Sequence, residues 1–282
     1  MAVTMTWWPV RADLSTLVDA VYVLRTDSPH ERALAGSLLP QVHWLLSGRF
    51  AWQAHGGALQ FLPPVAAFGP STAALWLETE GKTVVTGTGL YPEGWAALLP
   101  MPAGTMIERV FDLAAIWGDG SDAPLACAPD DDQAIAAAVE QLIAARLARS
   151  PTIDPRIGAI TRWANGAEHD LAALAAELDL SHRHLQRLTT AACGLPPRML
   201  ANKHKILRMA AVLALGARDN RREVWTAEYA DQPHFLRNFK RFIGVNPTRF
   251  LTEPDLLVRE VMRVRIEIAS RHPLGLATDA PG

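Results

Sequence analysis

The chain has 282 residues, of which 49% are hydrophobic and 20% charged, so it can form two domains of ordinary size with a sizeable core. Its two cysteines, Cys127 and Cys193, exclude a disulfide framework or a zinc site built from cysteine. The net charge of −2 conceals an asymmetry: residues 155–250 carry 15 Lys and Arg against 8 Asp and Glu, whereas the rest carries 12 against 21. A basic segment beside an acidic one is typical of a nucleic-acid-binding module joined to a regulatory domain.

The sequence gives no sign of export or of a membrane span. The N-terminus shows no positively charged, apolar and cleavable leader. Residues 50–77 carry no charge, but Gly56, Pro63 and Pro70 interrupt them, so we do not expect a transmembrane helix. We therefore expect a cytoplasmic protein with reduced thiols and no membrane partner.

The first part of the chain, to about residue 121, has the pattern of short strands separated by glycine turns. Residues 49–54 and 58–62 flank His55-Gly56-Gly57, and residues 72–78 and 82–89 flank the Glu80-Gly81 region. Apolar segments on both sides of such turns predict β-hairpins. We expect a small antiparallel barrel, cupin-like and followed by helices, and thus an α+β fold overall.

Tryptophan is concentrated in this part, which holds seven of the nine in the chain. Such a concentration fits either an aromatic-lined pocket or large core residues, and the sequence leaves both open. The candidates for a ligand pocket are Trp44, Trp52, Trp76 and Trp95. His43 and His55 stand alone rather than in a His-x-His pair, so we expect neither a metal site nor a cofactor.

The charge and apolar pattern of residues 130–149 predicts a helix. Three aspartates at its start and Arg146 and Arg149 at its end suit the helix dipole. Ile135, Val139 and Ile143 belong to one apolar stripe along it. Residues 151–155, with two prolines, are expected to form a linker to the next domain.

A helix-turn-helix is predicted next. Leu171, Leu174 and Leu178 lie on one helical face, a tight turn follows, and Ser181 occupies the N-cap position of a second helix. Leu185 and Leu188 point inward on that second helix. The residues left to face outward are His182, Arg183, Gln186 and Arg187.

A second unit of the same kind follows a long helix over about residues 196–215. Phe235, Phe239 and Phe242 are spaced four and three residues apart, so they share one face of a short helix. Gly244 ends that helix where a left-handed residue is commonly needed, and Pro247 follows. The opposite, solvent-facing side of this helix carries His234, Arg237, Asn238 and Arg241, with Lys240 beside them. A further helix is expected after residue 253.

These features resemble AraC/XylS-type transcription regulators. Residues 229–250 are similar to the end of that family's DNA-binding domain, and residues 171–197 look like its other helix-turn-helix. The likeness covers about residues 156–251. The positions that match the family pattern in the first of these stretches are Tyr229, Asp231, Gln232, His234, Phe235, Arg237, Phe239, Lys240, Gly244, Pro247 and Phe250.

A looser likeness extends into the first half of the chain. Residues 38–48, 68–78 and 91–118 resemble a sensor-type N-terminal domain that occurs in some AraC-type regulators. In such proteins, a helix like the one over residues 130–149 dimerises or packs against the barrel, and the sequence does not decide between these.

The resemblance implies a regulator that binds double-stranded DNA, with each recognition helix in a major groove and about one helical turn, roughly 34–36 Å, between them. RNA polymerase, a small-molecule effector and a second copy of the chain are the other implied partners. We expect a sensor or dimerisation domain over residues 1–150, a DNA-binding domain over 156–253, and a helix with a tail over 254–282. The residues expected to contact DNA are His182, Arg183, Gln186, Arg187, Lys203, Lys205, Gln232, His234, Arg237, Asn238, Lys240 and Arg241.

Two other functions stay open at this point. One is a cupin-like enzyme whose basic domain localises it on DNA, although no catalytic constellation stands out. The other is an architectural protein that binds all DNA alike.

One departure from the family pattern falls before the second recognition helix. Glu228 occupies a position where the family has glycine, and Val224 or Trp225 falls where it has a small residue. A glutamate at a positive φ is strained by about 1 kcal/mol or more. We therefore expect the second unit to be re-angled or less stable than the first, and Glu228→Gly to raise its melting temperature.

Overall fold

The computed structural model of the chain describes residues 3–37, 39–54, 56–166, 168–215, 233–253 and 257–269, with side chains to residue 264 in the last range. An antiparallel sheet comes first and helices follow, which confirms the predicted α+β class. The strands are β1 (Val3–Trp8), β2 (Val18–Thr26), β3 (His30–Gly36), β4 (Gln41–Ala54), β5 (Leu59–Phe61), β6 (Val65–Phe68), β7 (Leu75–Leu90) and β8 (Val110–Asp112).

The sheet is open rather than closed into the expected barrel. Its strands lie in the order β1-β2-β7-β4-β6-β8, with β3 paired to β7 and β5 paired to β4. Every pairing is antiparallel. Within the part of the chain that the structure describes, the end strands β1 and β8 do not pair with each other.

One of the two predicted hairpins is confirmed and the other is wrong. β4 and β5 pair around the turn at Gly56 and Gly57, with Trp52 opposite Gln60. By contrast, β7 continues through Glu80 and Gly81 without reversing. Its first half pairs with β3, its second half pairs with β2, and β4 follows both halves with register shifts near Ser47. Bulges of this kind bend a strand and so allow it to change partner without ending.

The helices are α1 (Pro92–Leu98), α2 (Ala114–Trp117), α3 (Asp132–Leu147), α4 (Pro155–Asn165), α5 (Leu171–Glu177), α6 (His182–Cys193), α7 (Pro197–Leu215), α8 (Pro233–Ile243), α9 (Pro247–Thr252) and α10 (Leu257–Ala269). Short 3-10 helices lie at Ala103–Thr105 and Ala123–Ala126. Several helices start where a polar side chain accepts a bond from the first turn, as Asp131 does at α3 and Asp154 at α4.

The predicted helix over residues 130–149 is α3, and it packs on the sheet. Its buried stripe of Ile135, Val139 and Ile143 lies against β2 and β7. Asp132, in its first turn, pairs with Arg25 of β2 and accepts a hydrogen bond from Thr6 of β1. The sequence left open whether this helix dimerises or packs against the strands. The apolar stripe of α3 packs against the strands of its own chain.

The sheet has helices on both of its faces. On one face, α1 and α3 cover a core that includes Val42, Trp44 and Trp95. On the other face, side chains of α7 to α10 join Phe50 and Leu75 in a single apolar cluster. A third cluster belongs to α4, α5 and α6, and α1 touches it. The helices that follow the sheet are therefore packed directly against it.

Candidate nucleic-acid interface

The first helix-turn-helix is built by α5 and α6, as predicted. Asp170 caps α5 by accepting bonds from the backbone N–H groups of Ala172 and Ala173, at 2.8 and 3.0 Å. The turn passes through Asp179, whose φ is 50°. Ser181 then caps α6 by accepting a bond from the N–H of His184 at 3.3 Å. These short-range bonds fix where α6 starts and so orient its outer face.

The outer face of α6 carries the predicted residues. Leu185 is fully buried, whereas His182, Arg183, Gln186 and Arg187 are exposed. The helical spacing that buries Leu185 leaves two guanidinium groups and one side-chain amide in solvent. These are the groups that can bond to guanine, adenine or phosphate.

One flank of α6 lies against the N-terminal half of the chain. The 3-10 helix Ala103–Thr105 contacts α6 near Thr190. A Cβ atom at Gly104 would lie 2.6 Å from the Thr190 carbonyl oxygen, so only glycine permits this approach. Arg183, Gln186 and Arg187 line the open groove beside that contact.

The two lysines of α7 are placed differently, although both are expected from the sequence to contact DNA. Lys205 is exposed, as expected for a phosphate contact. Lys203 is only 6% exposed, and its Nζ donates a hydrogen bond to the Ser71 carbonyl at 3.0 Å. In this arrangement Lys203 therefore does not face solvent but holds α7 against the part of the chain that contains the sheet and α1 to α3, which we call the sheet domain.

The helix predicted to be the second recognition helix is α8. Its three phenylalanines, Phe235, Phe239 and Phe242, are buried, as their spacing predicts. His234, Arg237, Lys240 and Arg241 are exposed, and the amide of Asn238 lies 3.1 Å from Nδ1 of His234 one turn earlier.

The C-terminal end of α8 is fixed to the sheet. Gly244 ends the helix at φ 92°, and a Cβ atom there would lie 2.5 Å from Leu34. The Ala74 N–H donates to the Arg241 carbonyl, and the Ser37 N–H donates to the Phe242 carbonyl, both at 2.7 Å. These bonds satisfy carbonyl groups that every helix leaves unpaired at its end.

The Arg241 side chain also contacts the residues that lie beside the sheet, and its expected contact with DNA stays a prediction. Its Nε donates to the Thr72 carbonyl at 2.9 Å, although Arg241 is exposed. Arg237 and Lys240 line a groove with Trp76 and Glu108 of the sheet domain. The basic face of α8 is therefore exposed along one edge and bounded by the sheet along the other.

Part of the second unit lies outside the described residues. This applies to Gln232, to the Glu228 departure and to Val224, Trp225 and Tyr229. The predicted strain at Glu228 and the DNA contact at Gln232 stay predictions.

The four tryptophans proposed for a ligand pocket fall into three environments. Trp44 and Trp95 are fully buried, and their indole N–H groups donate to the carbonyls of Ser121 and Met101, each at 2.7 Å. They are core residues in this structure. Trp76 is half-buried beside α8 under the Arg32 guanidinium, 4.8 Å from its ring centre. Trp52 is buried and lines a cavity on the face of the sheet that α10 covers.

Burial shifts the pKa of two ionisable groups at the junction where α1 meets α4 and α6. Glu93 of α1 accepts a hydrogen bond from the Thr161 hydroxyl of α4 at 2.9 Å, and its pKa is raised, mainly by burial. Burial likewise raises the pKa of the Cys193 thiol. This buried thiol therefore fills space in the core.

Metal ions and membranes define two other classes of site. Among the described residues, no group of three or more His, Cys, Asp or Glu side chains is arranged to hold a metal ion. Over the same residues, no helix is long and apolar enough to cross a membrane.

The sequence did not predict the segment of the sheet domain to which α7 and α8 are hydrogen-bonded. Ser71, Thr72 and Ala74 bond to α7 and α8 through their backbone groups. Every residue type has these backbone groups, so no local sequence pattern marks such a segment.

Comparison with known proteins agrees with the geometry of the helices. Residues 174–253 match a family model described as a helix-turn-helix domain. The C-terminal part of the chain is an AraC-type helix-turn-helix domain. No curated protein matches the chain.

Solved structures with a similar fold are distant in sequence. ToxT from Vibrio cholerae, in a P21 crystal form, is 10% identical with a TM-score of 0.45, over 89% of this chain and 98% of that one. The ToxT structure with bound unsaturated fatty acid is 10% identical with a TM-score of 0.44, over 88% and 94%. The AraC-like transcriptional activator CuxR is 13% identical with a TM-score of 0.27, over 82% and 88%. At such scores the likeness carries no functional argument.

Proposed function

We propose that the chain is a sequence-specific transcription regulator that binds double-stranded DNA through α6 and α8, its two recognition helices. The observation that carries the proposal is the repeated construction of these helices within an AraC-type helix-turn-helix domain. Each buries an apolar stripe and exposes a basic and polar face, and α7 joins them. This is the arrangement by which helix-turn-helix proteins enter successive major grooves.

The exposed side chains divide by chemistry into two groups. Arg183 and Arg237 can each form two hydrogen bonds with guanine, and Gln186 can do the same with adenine. Lys205 and Lys240 are point charges that suit phosphate, which supplies most of the affinity but no sequence information. His182, His234, Arg187 and Asn238 are further candidates on the same faces. Lys203 and Arg241 are proposed to act at the junction with the sheet domain.

We further propose that the sheet domain, up to about residue 150, controls this activity by binding a small molecule or a second copy of the chain. The support is the contact of both recognition helices with it, at Gly104 for α6 and at Thr72 to Ala74 for α8. A change in the sheet domain can thus alter how the helices are presented. RNA polymerase is the further partner that this function implies.

The experiment is a selection of duplexes from random DNA with the full chain, followed by fluorescence anisotropy over a range of salt. We expect the selected duplex to bind about 10³-fold or more tightly than random DNA. The log–log salt slope should reach several units, at about 0.9 for each phosphate contacted. Arg11→Ala, which removes an exposed arginine of the sheet domain paired with Asp13, is the matched control and should bind normally.

Two results would decide against the proposal. Equal affinity for every duplex would identify an architectural protein. No binding at low salt would remove DNA as a partner and leave open an enzymatic role for the sheet domain.

A further inference from the structure

One short segment of the sheet domain contacts the first helix-turn-helix unit and the long helix that follows it. Residues 70–74 lie between β6 and β7, and we call them the junction segment. Its first residue, Pro70, is in contact with Gly194 at the end of α6, because a Cβ atom added at Gly194 would lie 2.5 Å from the proline ring. The next residue, Ser71, accepts the hydrogen bond from Lys203 of α7.

The same segment then reaches the second unit. The Thr72 carbonyl accepts a hydrogen bond from Nε of Arg241 in α8, and the Ala74 N–H donates to the Arg241 carbonyl, at 2.9 and 2.7 Å. Five residues of backbone span roughly 17 Å at most. The contacts with α6, α7 and α8 therefore lie along one short, continuous piece of chain.

The junction segment is itself held from two sides. Oε1 of Glu108 accepts hydrogen bonds from the N–H and the hydroxyl of Thr72, at 2.9 and 2.7 Å, and the Glu108 N–H donates to the Pro70 carbonyl at 3.0 Å. The hydroxyl oxygens of Ser37 and Ser71, both fully buried, lie 2.9 Å apart. Glu108 has a φ of 55°, which a glutamate adopts only where the surrounding contacts impose it. These contacts make the segment a rigid support for the helices.

The two units have little apolar core in common. The buried residues around α4, α5 and α6 and those around α8 and α9 belong to two clusters that share no buried member. Within the described residues, Met199 of α7 is the one partly buried hydrophobic residue that borders both clusters. The placement of one unit relative to the other therefore depends on α7 and on the junction segment.

The junction segment holds each recognition helix away from its predicted base-reading arginine. It meets α6 at Gly194, whereas Arg183 lies in the first turn of that helix. It meets α8 at Arg241, one turn beyond Arg237. Recognition helices contact base edges mainly with their N-terminal residues. The segment can thus fix the angle and separation of the two helices without occupying those residues.

We propose that the junction segment sets the separation and relative angle of α6 and α8, and so determines which spacing of two half-sites in DNA the chain accepts. The inference rests on the proposed function, because it assigns the element that selects among duplexes with the same bases at different spacings. Glu108 is a positioning residue in this scheme, since it acts through Thr72 and not on DNA.

The first test needs no DNA. The full chain with Cys127→Ser receives nitroxide labels through His184→Cys in α6 and Thr248→Cys in α9, two exposed positions outside the expected DNA contacts. Cys193 is buried and so is protected from the label. Double electron–electron resonance then measures the distance between the two labels, and hence between the two units.

Variants of Glu108 should change the spread of that distance. Glu108→Ala removes the acceptor of two hydrogen bonds from Thr72, and should widen the distribution about 2-fold or more. Glu108→Gln keeps an oxygen at the Oε1 position and should restore the narrow distribution. A distribution as narrow in Glu108→Ala as in the unchanged chain would overturn the proposal.

Asp112→Ala is the matched control. It removes an exposed carboxylate of β8 that also accepts a backbone N–H, from Ala114 at 2.9 Å, but lies outside the junction segment. Its label distances should stay as narrow as those of the unchanged chain. Equal widening in Asp112→Ala and Glu108→Ala would show a general loosening of the sheet domain and contradict the assigned role.

The second test uses the selected duplex and versions with one or two base pairs added or removed between its half-sites. Each base pair turns one half-site about the DNA axis by roughly 34–36° relative to the other. The unchanged chain should bind the altered spacings about 10-fold or more weakly, whereas Glu108→Ala should lose about 3-fold or less and keep its base preferences within each half-site. If Glu108→Ala weakens every duplex by one common factor, its effect is on the fold alone and the proposal is wrong.

The two tests separate this inference from the proposed function. A chain that binds the selected duplex but accepts every spacing equally would overturn the role of the junction segment and leave the proposed function intact. A chain whose label distances respond to Glu108→Ala but that binds no duplex would remove the proposed function, and the selection of spacing with it.

Discussion

The two proposed recognition helices of this chain share one sequence pattern, a buried apolar stripe beside a basic face, but they pack against different parts of the molecule. The first, α6, packs within a cluster formed mainly by α4, α5 and α6 themselves. The second, α8, buries its phenylalanines in a cluster that also contains the sheet residues Phe50, Leu75 and Leu77. Thus the first unit has a core of its own, whereas the second shares its core with the sheet domain.

The difference indicates where control over DNA binding can enter. A unit with its own core can keep its internal packing when the sheet domain changes, although α6 also touches the sheet domain at Gly104. A unit that shares its core changes its packing when the sheet domain changes. We therefore expect the second unit to be the one through which the sheet domain acts.

The largest expected effect comes from Phe239→Ala. Phe239 is fully buried and lies against Phe235 and Phe250, with ring centres 5.8 and 5.6 Å apart. The change should lower the free energy of unfolding by about 3–5 kcal/mol. Because the cluster is shared, hydrogen exchange should accelerate in β3 as well as in α8.

Leu185→Ala is the comparison for that result. It should cost about 2–5 kcal/mol locally and accelerate exchange in α4, α5 and α6, with the strands unaffected. If Phe239→Ala leaves the strands protected, the second unit has an independent core and the contrast between the units is wrong.

A smaller effect distinguishes the two lysines of α7. Lys203→Ala removes buried packing and the bond to Ser71, so the free energy of unfolding should fall by about 1–3 kcal/mol. Lys205→Ala should leave stability within about 0.5 kcal/mol and lower the salt slope of DNA binding by about 0.9. Chemical denaturation and anisotropy measure the two quantities, and an exchange of the two outcomes would contradict the assigned roles.

The smallest effect concerns the junction between α1 and the first unit. Since burial raises the pKa of Glu93, the folded state binds its proton more tightly than the unfolded state does. Its contribution to stability is thus present below the ordinary pKa of 4.5 and is lost as the pH rises through the folded value. Glu93→Gln should melt higher than the unchanged protein at pH 7, and the gap should close towards pH 4.

The control for this change is Glu177→Gln, which alters an exposed carboxyl of α5 and is melted over the same pH range. A Glu93→Gln protein that melts lower at pH 7 would show that the charged carboxylate stabilises the junction.

Features set by neighbours in sequence were predictable. The cap at Ser181, the left-handed end at Gly244 and the phenylalanine stripe of α8 depend on residues a few positions apart. For the same reason the start of α3 and the hairpin between β4 and β5 were predicted correctly.

Features set by distant contacts were not predictable. Lys203 bonds to a carbonyl 132 residues away, and nothing near it in sequence distinguishes it from Lys205. The sequence also did not show that β7 exchanges β3 for β2 along its length, since that depends on strands elsewhere in the chain. The cavity was anticipated only through Trp52, because Trp7, Tyr22 and Gln41 come together only in the folded sheet.

The central claim is that α6 and α8 each occupy a major groove of one selected duplex. Hydroxyl-radical footprinting of the full chain on that duplex tests it most directly, with Arg183→Ala and Arg237→Ala compared at saturating protein. We expect two protected tracts about 10–10.5 base pairs apart. Each substitution should cost about 1–3 kcal/mol and relax base preference within one tract only, Arg183 in one and Arg237 in the other. A single tract, or a uniform loss from both variants on selected and random DNA alike, would contradict the account.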